Sequence, residues 1–292
     1  MVDPIISVIV PVWNDEKRIG HCIEALQRQS LALELFEIIV VDNGSTDATS
    51  SVVARYPGVI LLKEPQPGSY AARNTGLAHA RGEYVAFTDS DCVPEPNWLE
   101  TGLDTVQRQE GIGIVAGQIA FLDPTGAYSR ACLNYERHLS MRQEDNAKSG
   151  FVITANWFSR RDILLERGGF DPTLKSGGDH ELSKQVSKSG LRTVYLPTAI
   201  VVHPPRTQIA EITGKARRVV GGRWASTPRG RRFYTRVKTE TKNLVERTRK
   251  IAHAKNLTVY ERVEVIGLLL RLWIISLAEL LRLQFGGAPT RS

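Results

Sequence analysis

The chain has 292 residues, 42% hydrophobic and 24% charged, a balance that excludes a disordered chain and suits a soluble globular protein with a sizeable core. Three widely spaced cysteines, Cys22, Cys92 and Cys132, exclude a disulfide framework and a zinc site, and point to a reducing, cytoplasmic setting. The net charge of +7 is uneven: Arg and Lys dominate residues 206–250, which implies an anionic partner unless they are simply solvated helix faces.

In chain order, "ISVIVPVW" (6–13) reads as a buried strand, with Asn14 as cap of a helix through "RIGHCIEALQRQS". The strand-like run begins almost at the first residue, so no signal peptide is expected. "FEIIVVD" (36–42) is a second strand, followed by the turn "NGSTD" and a helix "ATSSVVARY" stopped by Pro57. "VILLKEP" (59–65) is a third strand, "SYAARNTGLAHA" a helix, and Tyr84 to Phe87 a fourth strand. Nearly continuous apolar strands alternating with helices predict an α/β fold with a mostly parallel sheet covered on both faces. "GIGIVA" (111–116) mimics a dinucleotide-binding loop, but its strand comes with the glycines instead of before them. "SGGDHELSKQVSKSG" (176–190) opens an amphipathic helix, and "AIVVH" ends a further strand at His203.

In such sheets ligands bind beyond the carboxyl ends of the strands, where Asp42, Asp89 and Asp91 all fall. Alone, Asp89-Ser90-Asp91 would pass as a solvated turn. Three carboxylates facing one crevice repel unless a cation lies among them. Oxygen ligands suit Mg²⁺ or Mn²⁺, which bridge carboxylates to a substrate's phosphates. No Walker-type lysine loop is present to do that work.

Six stretches in order, "SVIVPVWNDE", "IIVVDNGSTD", "ARNTGL", "YVAFTDSDCVP", "TANWFSRRDILLERGGFDPTL" and "GGDHEL", carry a resemblance. Over about residues 6–205 the chain resembles the family 2 glycosyltransferases, inverting enzymes with the GT-A fold. The resemblance implies a Rossmann-like GT-A catalytic domain over 1–205 and a basic helical extension over 206–292. It implies that Pro11 and Asp42 line the nucleoside pocket and that Gly68 to Asn74 run along ribose and diphosphate. Arg73 suits that task because a guanidinium pairs with phosphate in a planar fork. Asp89 would sit near the ribose and Asp91 on the metal, with Cys92 a passive neighbour. The acidic motif departs from the family's usual Gly-Glu-Asp, since Gly178 stands where Glu is common, but Asp179 matches the base that takes the acceptor's proton. The plain alternative for Asp179 and Glu181 is first-turn carboxylates facing the helix dipole. His203 follows Asp179 at a spacing where some relatives place a metal-binding histidine, and imidazole would favour Mn²⁺. His180 is incidental. Asn156 and Trp157 correspond to positions near donor sugar and acceptor, with Trp157 equally suited to the core. Gly222-Arg223-Trp224 resembles part of a processive polymerase motif, yet Val220 replaces its Gln, so single addition is expected.

Thr258 to Glu261 forms a capping box for a helix over 258–283. Its wide apolar face and basic approach predict a helix lying in a membrane interface, on the inner face of the cell membrane, and a lipid-linked acceptor; the alternative is a helix packed on protein. The expected partners are a nucleotide sugar, expected to be a UDP-sugar, and a membrane surface, with no nucleic acid; the sugar, the acceptor and the oligomeric state stay open. Two other classes are alternatives: a metal-dependent nucleotidyltransferase, for which only Lys17 is offered near the first strand, and a basic membrane- or nucleic-acid-binding protein.

Overall fold

The computed structural model describes residues 3–108, 110–225 and 227–288. Two compact units emerge. One takes the described residues through Leu122 with Arg142–Thr173 and Gly178–Pro204; the other takes Asp123–Met141, Leu174–Gly177 and the described residues from Pro205 onward.

The chain enters the first unit with β1 (Ile6–Val12), α1 (Ile19–Gln27), β2 (Phe36–Asp42), α2 (Thr49–Val53), β3 (Val59–Lys63), α3 (Ser69–His79) and β4 (Tyr84–Phe87). A short β5 (Val93–Pro94), α4 (Trp98–Arg108) and β6 (Ile112–Phe121) follow. After α5 (Arg130–Leu139), which belongs to the second unit, come α6 (Gln143–Lys148), β7 (Trp157–Arg160), α7 (Arg161–Leu165), α8 (Gly178–Lys188) and β8 (Arg192–His203). The helices α9 (Ile209–Ala225), α10 (Arg232–Ala252) and α11 (Val259–Gln284) complete the second unit.

The sheet has eight strands in the order β3-β2-β1-β4-β7-β6-β8-β5. It is parallel from β3 to β4 and again between β6 and β8, while β7 runs antiparallel to both its neighbours and β5 to β8. Every residue of β1 and β2 is buried, as their unbroken apolar runs require of strands covered on both faces. The "GIGIVA" glycines lie at and within the start of β6, with no preceding strand, so no dinucleotide loop forms there.

Asn14 does not cap α1. It adopts a left-handed φ of 48°, donates its N–H to Ser45 Oγ at 2.9 Å and accepts Thr46 N–H on Oδ1 at 2.8 Å. The helix starts only at Ile19, because Asn14 is held by the turn after β2.

In the second unit α11 packs on α5, α9 and α10 around Cys132, Ile212, Ile251, Val265 and Leu269. Thr258 and Glu261 form the capping box at its start. Two of its carboxylates are paired: Glu264 with Arg130 at 3.0 Å, and buried Glu279 with Arg282 at 2.6 Å. Among the described residues no helix is long and apolar enough to cross a membrane.

Candidate active site

The register Val12↔Asp42 sets the ends of β1 and β2 side by side, with Pro11 and Asp42 both buried. Asp42 Oδ1 accepts Ser45 N–H at 2.8 Å, and Oδ2 accepts the Ser50 hydroxyl, so the carboxylate shapes the "NGSTD" turn. Next to it Asn43 ties three backbone points together. Its Nδ2 donates to Glu64 O at 2.9 Å and Gln66 O at 2.7 Å, and its Oδ1 accepts Gly68 N–H at 2.7 Å. Gly68 opens α3 at φ +138°, a backbone that a side chain would strain.

From α3, Arg73 is buried and its Nη2 donates to Asp89 Oδ1 at 2.5 Å, while Nη1 reaches Ser69 O at 3.4 Å. Its Nε is buried with no hydrogen-bond partner among the described residues. Asn74 is used differently from its neighbour. Nδ2 donates to Phe170 O at 2.7 Å and Oδ1 accepts Phe170 N–H at 2.8 Å, so this amide clamps the chain before α8.

Beyond β4, Asp89, Asp91, Cys92 and His203 each present one ligand atom, all within 4.8 Å of one another. His203, at the end of β8, lies with Nδ1 2.6 Å from Pro204 O and Nε2 3.6 Å from Asp91 Oδ1. A carbonyl only accepts, so Nδ1 carries the proton and Nε2 is the atom presented to the acidic pair. Burial pushes the Asp91 carboxyl above its ordinary range; His203 and Arg18 oppose this, and Asp89 adds to it. Burial also pushes the Cys92 thiol well up, so Cys92 is a neutral neighbour. The donor set therefore suits a divalent cation held by carboxylate oxygen and imidazole nitrogen.

At the start of α8 burial raises the Asp179 carboxyl, with the His180 N–H, Arg73 and Tyr70 pulling it back and Asp89 adding to the rise. Tyr70 Oη donates to Asp179 Oδ1 at 3.3 Å. Burial and Asp179 push that phenol up to about 12, so it keeps its proton and its donor role. Tyr70 also stacks on Phe170 at 5.7 Å. Glu181, two residues on, is exposed, and His180 is exposed with its ring against Phe151.

The structure thus brings together Arg73, Asp89, Asp91, His203 and Asp179; among the described residues no hydrogen bond or ion pair joins Glu181, Asn156 or Trp157 to them. Glu181 faces solvent. Asn156 is fully buried and fully bonded: Nδ2 donates to Gln118 O at 2.8 Å and Ala199 O at 2.9 Å, and Oδ1 accepts Trp98 Nε1–H at 2.9 Å. Trp157 is fully buried edge-on to Phe87 and Phe170, a core position that gives a sugar no face to stack on.

Tyr70 enters the sequence expectation only within the run Gly68 to Asn74, and Asp15 and Arg18 are not among the expected site residues. Asp15 is buried, accepts Ser90 Oγ–H on Oδ2 at 2.6 Å and Arg18 Nε–H on Oδ1 at 2.6 Å, and so holds the residue between the two aspartates. Arg18 Nη1 reaches Asp91 Oδ2 at 3.3 Å. The signal available was spacing: Tyr70 and Arg73 lie three apart on one helix, hence on one face.

The family profile described as "Glycosyl transferase family 2" matches residues 7–168. Glycosyltransferase AglE of Haloferax volcanii is 34% identical over 209 residues, 70% of this chain and 68% of that protein. A mannosyltransferase from Pyrobaculum calidifontis, solved in complex with GDP-Man and Mn²⁺, superimposes with a TM-score of 0.65 at 19% identity, covering 96% of this chain and 88% of that one. The S. aureus TarS 1–349 structure in complex with UDP gives a TM-score of 0.57 at 17% identity, covering 96% and 91%.

Proposed function

The chain belongs to glycosyltransferase family 2, and on that premise we propose an inverting, metal-dependent transfer of a single sugar from a nucleotide sugar to an acceptor hydroxyl. The observation that carries this reading is the convergence of Arg73, Asp89, Asp91, His203 and Asp179 from four separate elements of one unit.

Asp91 and His203 are the residues that would hold a divalent cation, Mn²⁺ or Mg²⁺, with Asp89 beside them. Bound there, such an ion stabilises negative charge on a nucleoside diphosphate leaving group. Pro11 and Asp42 border the nucleoside, and Gly68 with Arg73 the ribose and diphosphate. Arg73 both fixes Asp89 and supplies a guanidinium for phosphate oxygens. Asp179 takes the acceptor's hydroxyl proton: its raised carboxyl is a stronger base once ionised, and the Tyr70 hydroxyl fixes its orientation. Trp157 and Asn156 act by supporting the sheet beneath this site.

The donor we assign is a UDP-sugar. The likeness to UDP-bound TarS supports it, whereas the likeness to the GDP-Man complex supports a guanosine donor. A thermal-shift panel of nucleotide sugars with Mn²⁺ separates the two, because the ligand that binds the native state raises its stability. Transfer by wild type and Asp91→Ala tests the metal assignment, and equal activity would reject it. The nucleotidyltransferase alternative lacks support, since Lys17 is exposed and no Gly-rich loop precedes it.

A membrane-surface role rests on the outer side of α11. Val259, Val263, Leu270, Ile274, Leu281 and Phe285 are exposed there, and 259, 270, 281 and 263, 274, 285 each recur every eleven residues. That spacing winds almost straight along a helix and forms one apolar ridge. The reading is an interfacial helix suited to a lipid-linked acceptor, checked by cosedimentation with vesicles.

A further inference from the structure

Within the second unit the Glu136 carboxylate, fully buried on α5, meets more positive charge than it balances. Arg206 Nη1 donates to Glu136 Oε2 at 3.1 Å. Lys215 Nζ stands 3.8 Å from Glu136 Oε1, outside hydrogen-bond reach, and donates instead to Ser140 Oγ at 2.9 Å. Arg247 of α10 donates to the Tyr135 hydroxyl at 3.2 Å. Arg218, on the same helix as Lys215, joins Arg206 and Arg247 in acting on its ammonium.

Arg206, Lys215 and Arg247, from the segment before α9, α9 and α10, thus gather three positive charges about the one carboxylate of α5. A cluster built only for stability would balance its charges, because buried like charges are costly. Here burial, then Arg206, lower the Lys215 ammonium to about 8, with Glu136 opposing and Arg218 and Arg247 adding. The side chains of Arg206 and Lys215 remain 24% and 25% exposed, so an incoming group reaches both. Guanidinium forks, an ammonium and the Ser140 and Tyr135 hydroxyls match an oxyanion with several acceptor oxygens.

The geometry points to a phosphate-binding site in the second unit, formed by Arg206, Lys215 and Arg247 around Glu136, that accepts a phosphomonoester or phosphodiester group. Its source is either free phosphate or a lipid headgroup. The site stands apart from the sugar-transfer reading, since none of its residues is assigned a part in that chemistry.

The test reads Lys215 directly. Full-length protein in EDTA is pulsed with an amine-reactive ester at pH 8 and labelling is quantified by peptide mass spectrometry, with the exposed Lys242 as internal reference. Bound phosphate raises the ammonium pKa, and a rise of about one unit slows Lys215 labelling about fivefold relative to chloride at equal ionic strength. Lys242 should not respond. Protection by inorganic phosphate assigns free phosphate; protection only by phosphatidylglycerol vesicles, and not by phosphatidylcholine vesicles, assigns a lipid headgroup. In Arg206→Gln, checked for native circular dichroism, the protection should disappear. If wild-type Lys215 labels equally fast in phosphate, chloride and both vesicle types, the site does not exist.

Discussion

Arg73 and Asp89 form a 2.5 Å ion pair that joins α3 to the loop after β4. The arginine side chain is 5% exposed and the aspartate 29%, so the pair is rooted in the unit and opens on the carboxylate side. Removing one partner of a buried pair leaves the other uncompensated. Arg73→Ala should therefore weaken donor binding by about 2 kcal/mol, roughly thirtyfold, measured by titration calorimetry with the nucleotide sugar and Mn²⁺. Arg73→Lys should recover only part of the loss, because an ammonium has no fork.

Asp179→Asn should lower kcat by about 10²- to 10⁴-fold and leave donor affinity near wild type. If donor affinity collapses instead, Asp179 is a binding residue and not the base.

Burial raises the Asp179 carboxyl, which fixes the direction of two pH effects. A base must be ionised, so the acid limb of kcat/KM should lie above the ordinary aspartate value of about 3.9. For stability, a raised folded-state pKa gives a contribution present below the unfolded value and lost as pH rises through the folded one. At neutral pH the ionised carboxylate is thus a burden. Asp179→Asn should melt higher than wild type at pH 7, and the difference should vanish at pH 3, as scanning calorimetry can show.

His203→Ala should reduce Mn²⁺ affinity by at least about tenfold, read as the Mn²⁺ concentration needed for half-maximal transfer. An unchanged requirement would remove His203 from the ligand set and leave it as the ring that packs edge-on to Phe121 at 6.0 Å.

Asn156→Ala should cost about 3 kcal/mol or more in denaturant unfolding, because it strands the Trp98 indole N–H and two backbone carbonyls. Activity per folded molecule should persist, a result incompatible with direct contact between Asn156 and sugar.

Deleting residues 256–292 removes Val265, Leu268, Leu269 and Leu272 from the second unit's core and should unfold that unit, seen as lost helical dichroism and rapid proteolysis. Leu270→Glu with Ile274→Glu, on the exposed ridge, should keep the fold and abolish vesicle binding. Retained vesicle binding in that double variant would end the interfacial reading.

What sequence revealed of this molecule tracks how local each cause is. β1 and β2 are legible because seven consecutive buried residues demand an apolar run, and the Thr258 box because its partners lie three residues apart. The surroundings of Asn156 are not, since its bonds reach 38, 43 and 58 residues away. Nor does any local signal place α5 with helices that begin some seventy residues later, because only tertiary packing of Cys132 and Tyr135 decides it. Asn14 misled for a related reason: Ser45 and Thr46, across the crossover, outcompete the helix for its side chain and backbone.

Because Asn43 anchors Glu64, Gln66 and Gly68 at once, the rim beside the proposed nucleoside pocket is pinned at three backbone points by one side chain. Encounter then needs no prior loop rearrangement, so competing nucleotides should associate at similar speeds. Selectivity among them would reside in how long each one stays.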